Sequence, residues 1–264
     1  MAQDETFDDP VGDSIAAAAP AALAAKAQQP FARMVMLAIL AGAFIAFGSV
    51  AALVAQANMG DGGAVRLLSG AAFSVGLMMV MIVGAELFTG NTMMLLSTVT
   101  SDLKPGRMFG AWAMVWVGNL IGAVTIALLF AASGGLGDGV GEAATALADG
   151  KLAKAPAAIF CSAILANILV CLAVWMSMKA RTIAAKAVAI IGPVMIFVAA
   201  GLEHSIANMS ILPLGWLAPS SQSPDFANGL INLVFSTAGN IVGGAVLAIG
   251  IAWGHDKLRL SGQG

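Results

Sequence analysis

Two short runs in this sequence carry the residues that invite chemistry. Glu203, His204 and Ser205 are followed by Asn208, and Glu86 is followed by Thr89, Asn91 and Thr92. Both runs interrupt stretches that are otherwise as apolar as lipid. Glu86, Glu203 and His204 are ionisable groups at membrane depth, and such groups mark ion paths, proton relays or ligand sites. A neutral imidazole is inexpensive to bury, yet it donates to an anion and converts to a cation near neutral pH. Each glutamate is expected to accept hydrogen bonds from backbone N–H groups released where a helix breaks, with proton carriage as the second reading. Ser205 adjoins His204, but neighbours on a helix do not face each other. There is no second base and no His/Cys cluster for a metal. The chemistry expected is therefore handling of a small ion, not catalysis, with no cofactor and no metal. His255, the other histidine, lies at the cytoplasmic end and is read as inert.

The elements that position these runs follow from composition. Of 264 residues, 59% are hydrophobic and only 10% charged, with a mean hydropathy of +0.92. Soluble domains carry about 25% charged residues, so the chain reads as an all-α membrane protein. Its few cations are scattered, which excludes nucleic-acid binding. Apolar runs over Phe31–Ala55, Leu67–Val99, Phe109–Ala132, Ala155–Met178, Ala187–Ala218 and Ile231–Trp253 are compared with the roughly 20 helical residues that cross a bilayer core. The second and fifth, as single helices, would each be about 50 Å long. Both must break, at Glu86–Thr92 and Glu203–Asn208. Six membrane crossings result, two of them discontinuous.

The domains expected are a cytoplasmic segment 1–30, a transmembrane domain 31–254 and a cytoplasmic tail 255–264. With both termini inside, Lys26, Arg33, Lys104, Arg107, Lys179, Arg181, Lys186, Lys257 and Arg259 are cytoplasmic, against Arg66, Lys151 and Lys154 outside, as the positive-inside rule requires. Asp4, Glu5, Asp8 and Asp9 make an acidic start, where a signal peptide needs a basic one. Ser14–Ala27 is helix-prone and interrupted by Pro20. It is expected to lead into the first span, or alternatively to form a mobile gate at the inner mouth. Cys161 and Cys171, ten residues apart on one helix, are about 15 Å apart along its axis and cannot form a disulfide. Gly135–Gly139 is read as a flexible outer loop.

The two halves echo each other. Gly118-Asn119-Leu120-Ile121-Gly122 returns as Gly239-Asn240-Ile241-Val242-Gly243, and Gly84-Ala85-Glu86 returns as Gly201-Leu202-Glu203. Asn91 with Met93 and Asn208 with Met209 follow the two breaks. Each half holds three spans, an odd number, so the halves enter from opposite sides. This is the inverted-repeat plan of transporters and channels, with broken helices meeting near the midplane. Irregular backbone survives there only when buried in protein or lining a wet cavity. The Gly-x-x-x-Gly patterns are read as helix packing.

Ala85-Glu86-Leu87-Phe88-Thr89-Gly90-Asn91-Thr92, Glu203-His204-Ser205-Ile206-Ala207-Asn208-Met209 and the span Ile164–Ser177, with Asn167 inside it, resemble three signatures of the formate/nitrite transporter family, in order and spacing. The likeness runs from about Ala41 to Trp253 and leaves out the alanine-rich N-terminus. It implies an aquaporin-like protomer with its own pore, a homo-oligomer, a pentamer, in the inner membrane, and small monovalent anions as substrates: formate, nitrite or hydrosulfide, with leakage to acetate or lactate. It places the central histidine on His204, the loop threonine on Thr89, the outer-vestibule lysine on Lys151 and the pore asparagines on Asn167 and Asn208. It places the apolar constrictions on Phe73, Leu77, Leu87 and Phe197. Leu202 stands where many formate-type members have an aromatic. Pro213-Leu214-Gly215 is formate-like, and Ala155-Pro156-Ala157 is somewhat nitrite-like. Formate is the expected substrate, with nitrite or hydrosulfide as the alternative. A water or polyol channel shares the broken-helix plan, but the Asn-Pro-Ala such channels carry is missing here.

Overall fold

The computed structural model describes residues 11–60, 62–221 and 223–258. The acidic residues Asp4, Glu5, Asp8 and Asp9, and Arg259, lie outside them. Among the described residues the fold is entirely helical. Five helices are long and apolar enough to cross a membrane: α2 (Phe31–Gln56), α3 (Gly63–Val83), α6 (Pro105–Ala132), α8 (Pro156–Ser177) and α11 (Phe226–Gly254). The remaining expected span is divided between α9 (Ile183–Ala199) and α10 (Ser205–Leu217). The second expected span is likewise divided, into α3, α4 (Phe88–Asn91) and α5 (Met94–Val99). Both breaks therefore fall where the polar runs put them.

Local chemistry explains the boundaries. Pro105 and Pro156 open α6 and α8, a position where the missing N–H costs nothing. The side chains of Thr182 and Asp225 accept the backbone N–H groups of Ala185 and Asn228. These N-caps start α9 and α11 about a turn earlier than hydropathy alone suggests. At the breaks, α3 and α9 end in the same way. Gly84 and Gly201 turn left-handed with φ of 78° and 64°, a conformation glycine adopts without steric cost. Ala85 N–H then donates to Val80 C=O at 2.9 Å, and Leu202 N–H to Phe197 C=O at 3.1 Å. This bond caps the orphaned carbonyls of the last turn.

Two helices escape the hydropathy reading. α7 (Val140–Leu152) lies between the third and fourth expected spans, directly after the expected outer loop Gly135–Gly139, and buries Ala144, Ala148 and Lys151. Its small side chains give little hydrophobic contrast. The turn before it is fixed rather than loose: Leu136 is buried and its carbonyl accepts the Gly141 N–H at 3.1 Å. α1 (Val11–Ala27) runs unbroken through Pro20. Its buried face of Ile15, Ala16, Ala19, Leu23 and Ala24 packs on the core, and the Ser97 hydroxyl donates to the Pro20 carbonyl at 2.7 Å. Tertiary contacts thus override the proline's local cost.

The spanning helices of the two halves correspond. α2 packs on α3 and α6, α8 packs on α9 and α11, and α3 meets α9 between the halves. The repeated glycines allow the close pairs: a Cβ on Gly122 would strike the Ile39 carbonyl of α2, and one on Gly243 the Ile164 carbonyl of α8. Overpacking against backbone has no cheap relaxation. Gly122→Val is therefore expected to lower unfolding stability in detergent by at least about 2 kcal/mol. Gly110→Ala on the same helix, where an added Cβ meets nothing within 4 Å, should leave it unchanged. Equal stability of both variants would contradict the close approach.

Candidate functional site

The two breaks face each other at the centre of the fold. His204 is the N-cap of α10, and its Nδ1 accepts the Ala207 N–H at 3.1 Å. An acceptor nitrogen carries no proton, so the proton of the neutral ring sits on Nε2. Nε2 lies 3.0 Å from Thr89 Oγ1 on α4. Thr89 is fully buried and His204 only 2% exposed. Because Nε2–H donates, Thr89 Oγ1 accepts and its own O–H is released to point elsewhere.

The Thr89 main chain is held from three sides. Its carbonyl accepts Thr92 Oγ1–H at 2.6 Å, Asn167 Nδ2–H at 3.2 Å and the Cys171 thiol at 3.3 Å. Asn167 also donates to Thr92 Oγ1 and to the Asn240 carbonyl. Its Oδ1, like Asn208 Oδ1 and Ser205 Oγ, is buried with no partner among the described residues. The site thus holds polar atoms not satisfied by the protein alone. Phe197 stacks on the His204 ring at 5.6 Å between centroids, and Phe73 meets Phe197 edge-on at 5.5 Å. Phe73, Leu77, Leu87 and Phe197 are all buried in one apolar cluster.

Each break is bracketed by an asparagine. Asn119 Oδ1 accepts the Phe88 N–H at 2.9 Å, while its Nδ2 donates to the carbonyls of Ala38 at 2.7 Å and Glu86 at 2.9 Å. Asn240 repeats this: Oδ1 accepts the Ser205 N–H at 2.8 Å, and Nδ2 donates to the carbonyls of Ala163 at 2.8 Å and Glu203 at 3.1 Å. The sequence reading gave the freed backbone groups to Glu86 and Glu203. The structure gives the Phe88 and Ser205 N–H groups to Asn119 and Asn240, and the Glu86 and Glu203 N–H groups to the Leu37 carbonyl and Ser162 Oγ; the amides also donate to freed carbonyls, which a carboxylate cannot do.

The glutamates instead organise two polar clusters, one with a single lysine and one with two. Glu86 accepts Lys26 Nζ at 2.8 Å, Gln29 Nε2 at 2.6 Å and Asn91 Nδ2 at 2.9 Å. Glu203 accepts Lys151 at 3.2 Å, Lys154 at 2.6 Å, Asn208 at 2.7 Å and Asn232 at 3.2 Å. Burial pushes the Lys151 ammonium below the usual lysine range, and the Glu203 carboxylate opposes that push. Lys151 and Lys154 line a cavity of about 860 Å³ beside α7. Of the expected site residues, His204, Thr89 and Asn167 come together at the centre, while Lys151 and Asn208 join Glu203. Lys26, Gln29, Asn119, Lys154, Asn232 and Asn240 were not singled out by sequence. A polar amide inside a membrane span is costly enough that Asn119 and Asn240, both inside the quoted repeat, carried a signal that the packing reading of their glycines obscured.

A sequence profile described as "Formate/nitrite transporter" matches residues 13–254. The "Probable formate transporter" of Methanothermobacter thermautotrophicus is 38% identical, over 94% of this chain and 97% of that protein. The "Nitrite transporter NirC" of Escherichia coli K12 is 36% identical, over 78% of this chain and 77% of its own. A solved structure described as "Pentameric formate channel with formate bound" superposes with a TM-score of 0.76 at 31% identity, over 87% of this chain and 98% of that one. The matched region begins inside α1, so the N-terminal helix belongs to the shared plan, contrary to the expected start near Ala41.

Asn240→Leu would strand one N–H and two carbonyls at membrane depth, each costing about 1–3 kcal/mol. Unfolding stability in detergent is expected to fall by roughly 3 kcal/mol or more, and Asn119→Leu should match it. A loss below about 1 kcal/mol in either would contradict the bracketing role.

Proposed function

This chain belongs to the formate/nitrite transporter family, and from that premise we propose that it moves small monovalent anions, formate foremost, through a pore in each protomer between Thr89 and His204. The single observation that carries the reading is the buried pair itself: His204 Nε2–H donates to Thr89 Oγ1 at 3.0 Å and leaves the threonine O–H free between apolar side chains. Nitrite is the alternative substrate, favoured by the 36% identity to a nitrite transporter. The pentameric relative supports a homo-oligomer, a pentamer. The chain is a multi-pass membrane protein, and the positive-inside count supports an inner-membrane location with both termini cytoplasmic.

Stripping water from an anion in an apolar throat costs many kcal/mol. Phe73, Leu77, Leu87 and Phe197 impose that cost as constrictions on either side of the polar pair. The same desolvation raises the pKa of a weak acid, so an anion pressed against the throat takes up a proton more readily and crosses as the neutral acid. Lys151 gathers the anion in the vestibule beside α7. Thr89 O–H, turned outward because its Oγ1 accepts His204 Nε2–H, then replaces a lost water contact at the centre. The neutral imidazole is not the source of the proton. Its Nε2–H is not acidic in water, and a second proton on Nδ1 would meet the Ala207 N–H head-on. Vestibule water supplies the proton, and His204 acts as a fixed donor.

Stopped-flow flux into proteoliposomes tests this with formate, nitrite and hydrosulfide at two pH values. Formate flux is expected to be faster at the lower pH. Thr89→Val, which keeps the shape and deletes the hydroxyl, should cut it about 10- to 100-fold, the equivalent of one lost hydrogen bond to a charged group. Glycerol-driven swelling without anion flux would overturn the reading in favour of a polyol channel.

A further inference from the structure

The two glutamate clusters are related by the repeat but differ in charge. At the first break, Glu86 Oε1 is satisfied by a neutral partner, Gln29 Nε2, and Oε2 by Lys26 and Asn91. One cation meets one anion. At the second break, Glu203 Oε1 is satisfied by Lys154 alone, and Oε2 by Lys151, Asn208 and Asn232. Two cations meet one anion, which leaves a surplus positive charge in this cluster. Among the other residues lining that cavity, Arg66 and Glu142 are of opposite sign and leave the surplus in place.

The surplus sits on Lys151. Lys154, in the loop after α7, is committed: its ammonium donates to Glu203 Oε1 at 2.6 Å and to the Gly201 carbonyl at 2.8 Å. Lys151 is nearly buried, with one acceptor for three N–H groups, Glu203 Oε2 at the longer distance of 3.2 Å. We propose that Lys154 is a positioning residue for anion capture: by saturating Glu203 Oε1 it frees the Lys151 ammonium for the incoming anion, so that loading from the α7 face is tighter than from the α1 face. Without the Lys154 charge, Glu203 and Lys151 form a closed neutral pair, like Glu86 and Lys26, and the anion competes with Glu203 for the ammonium. The inference rests on the transport reading above and assigns it a sidedness.

The test compares initial formate flux against concentration, from the α7 face, in proteoliposomes of the whole protein. Lys154→Gln gives this cluster the neutral partner that Gln29 provides at the other face, and Lys154→Arg keeps the charge. Electrostatic capture changes loading more than the later steps. Lys154→Gln is therefore expected to raise the half-saturating concentration about tenfold from the α7 face, with little change from the α1 face and with maximal flux within about twofold of wild type. Lys154→Arg should restore wild-type values. A half-saturating concentration unchanged in Lys154→Gln, a loss of maximal flux alone, or an equal rise from both faces would each overturn the proposal. Wild-type protein that moves neither formate nor nitrite would end the transport reading and this proposal with it, an outcome distinct from failure of the Lys154 comparison alone.

Discussion

An interrupted helix in a membrane releases backbone groups that no water is present to receive, and this chain answers with one amide side chain at each interruption. Asn119 and Asn240 each take one N–H from the segment beyond the break and return two N–H bonds to carbonyls, one in the break and one on the neighbouring helix. Everything else depends on that exchange. It allows α3 and α9 to stop at mid-depth, ties each break to the helices flanking it, and leaves the short segments Leu87–Thr89 and His204–Ser205 close enough to meet. The flanking glycines serve the same end, since Asn119 and Asn240 reach their partners only if α6 and α11 lie hard against α2 and α8.

The inverted repeat is kept where it supports the backbone and abandoned where it meets the ion. Gly84 and Gly201, and Asn119 and Asn240, are matched in type and in conformation or bonding, and Asn91 and Asn208 each donate to the glutamate of their own break. At the centre the correspondence fails. The position matching His204 is Leu87, the N-cap of α4 with no side-chain cap bond, and the position matching Thr89 is Ile206. One half contributes the imidazole and the other the hydroxyl. A symmetric pair of histidines would put two donors face to face with nothing to orient them. The asymmetric pair fixes its own polarity, because the Ala207 N–H on Nδ1 sets the tautomer and the tautomer sets the threonine rotor. The charge difference between the Glu86 and Glu203 clusters is a second departure, and like the first it lies along the path of the ion.

Much of this was legible in sequence because lipid punishes polar groups so heavily. Six apolar runs, two of them too long, located the breaks at Glu86 and Glu203, and the family resemblance placed His204 and Thr89 at the same centre. What escaped did so for definable reasons. α7 is built from alanine and glycine with few large side chains, so it lacked the apolar stripe that marks a helix. Pro20 reads as an interruption because its local cost is visible in sequence, whereas the packing of Ile15, Ala16, Ala19, Leu23 and Ala24 that holds α1 together depends on distant helices. The bonds from Lys26 to Glu86 and from Lys154 to Glu203 join residues far apart in the chain, and no local pattern announces such a partner. Asn119 and Asn240 were in plain view inside their repeat, but the glycines around them offered a simpler explanation.

The central claim is that His204 meets the anion as a neutral ring with its proton held on Nε2. Solid-state 15N spectroscopy of the protein in lipid, with His255→Gln leaving a single imidazole to observe, reads this directly. The account predicts, at neutral pH, one protonated ring nitrogen, Nε2, and one bare nitrogen, Nδ1, that correlates with the Ala207 amide proton. Two protonated nitrogens, or a proton on Nδ1, would contradict it.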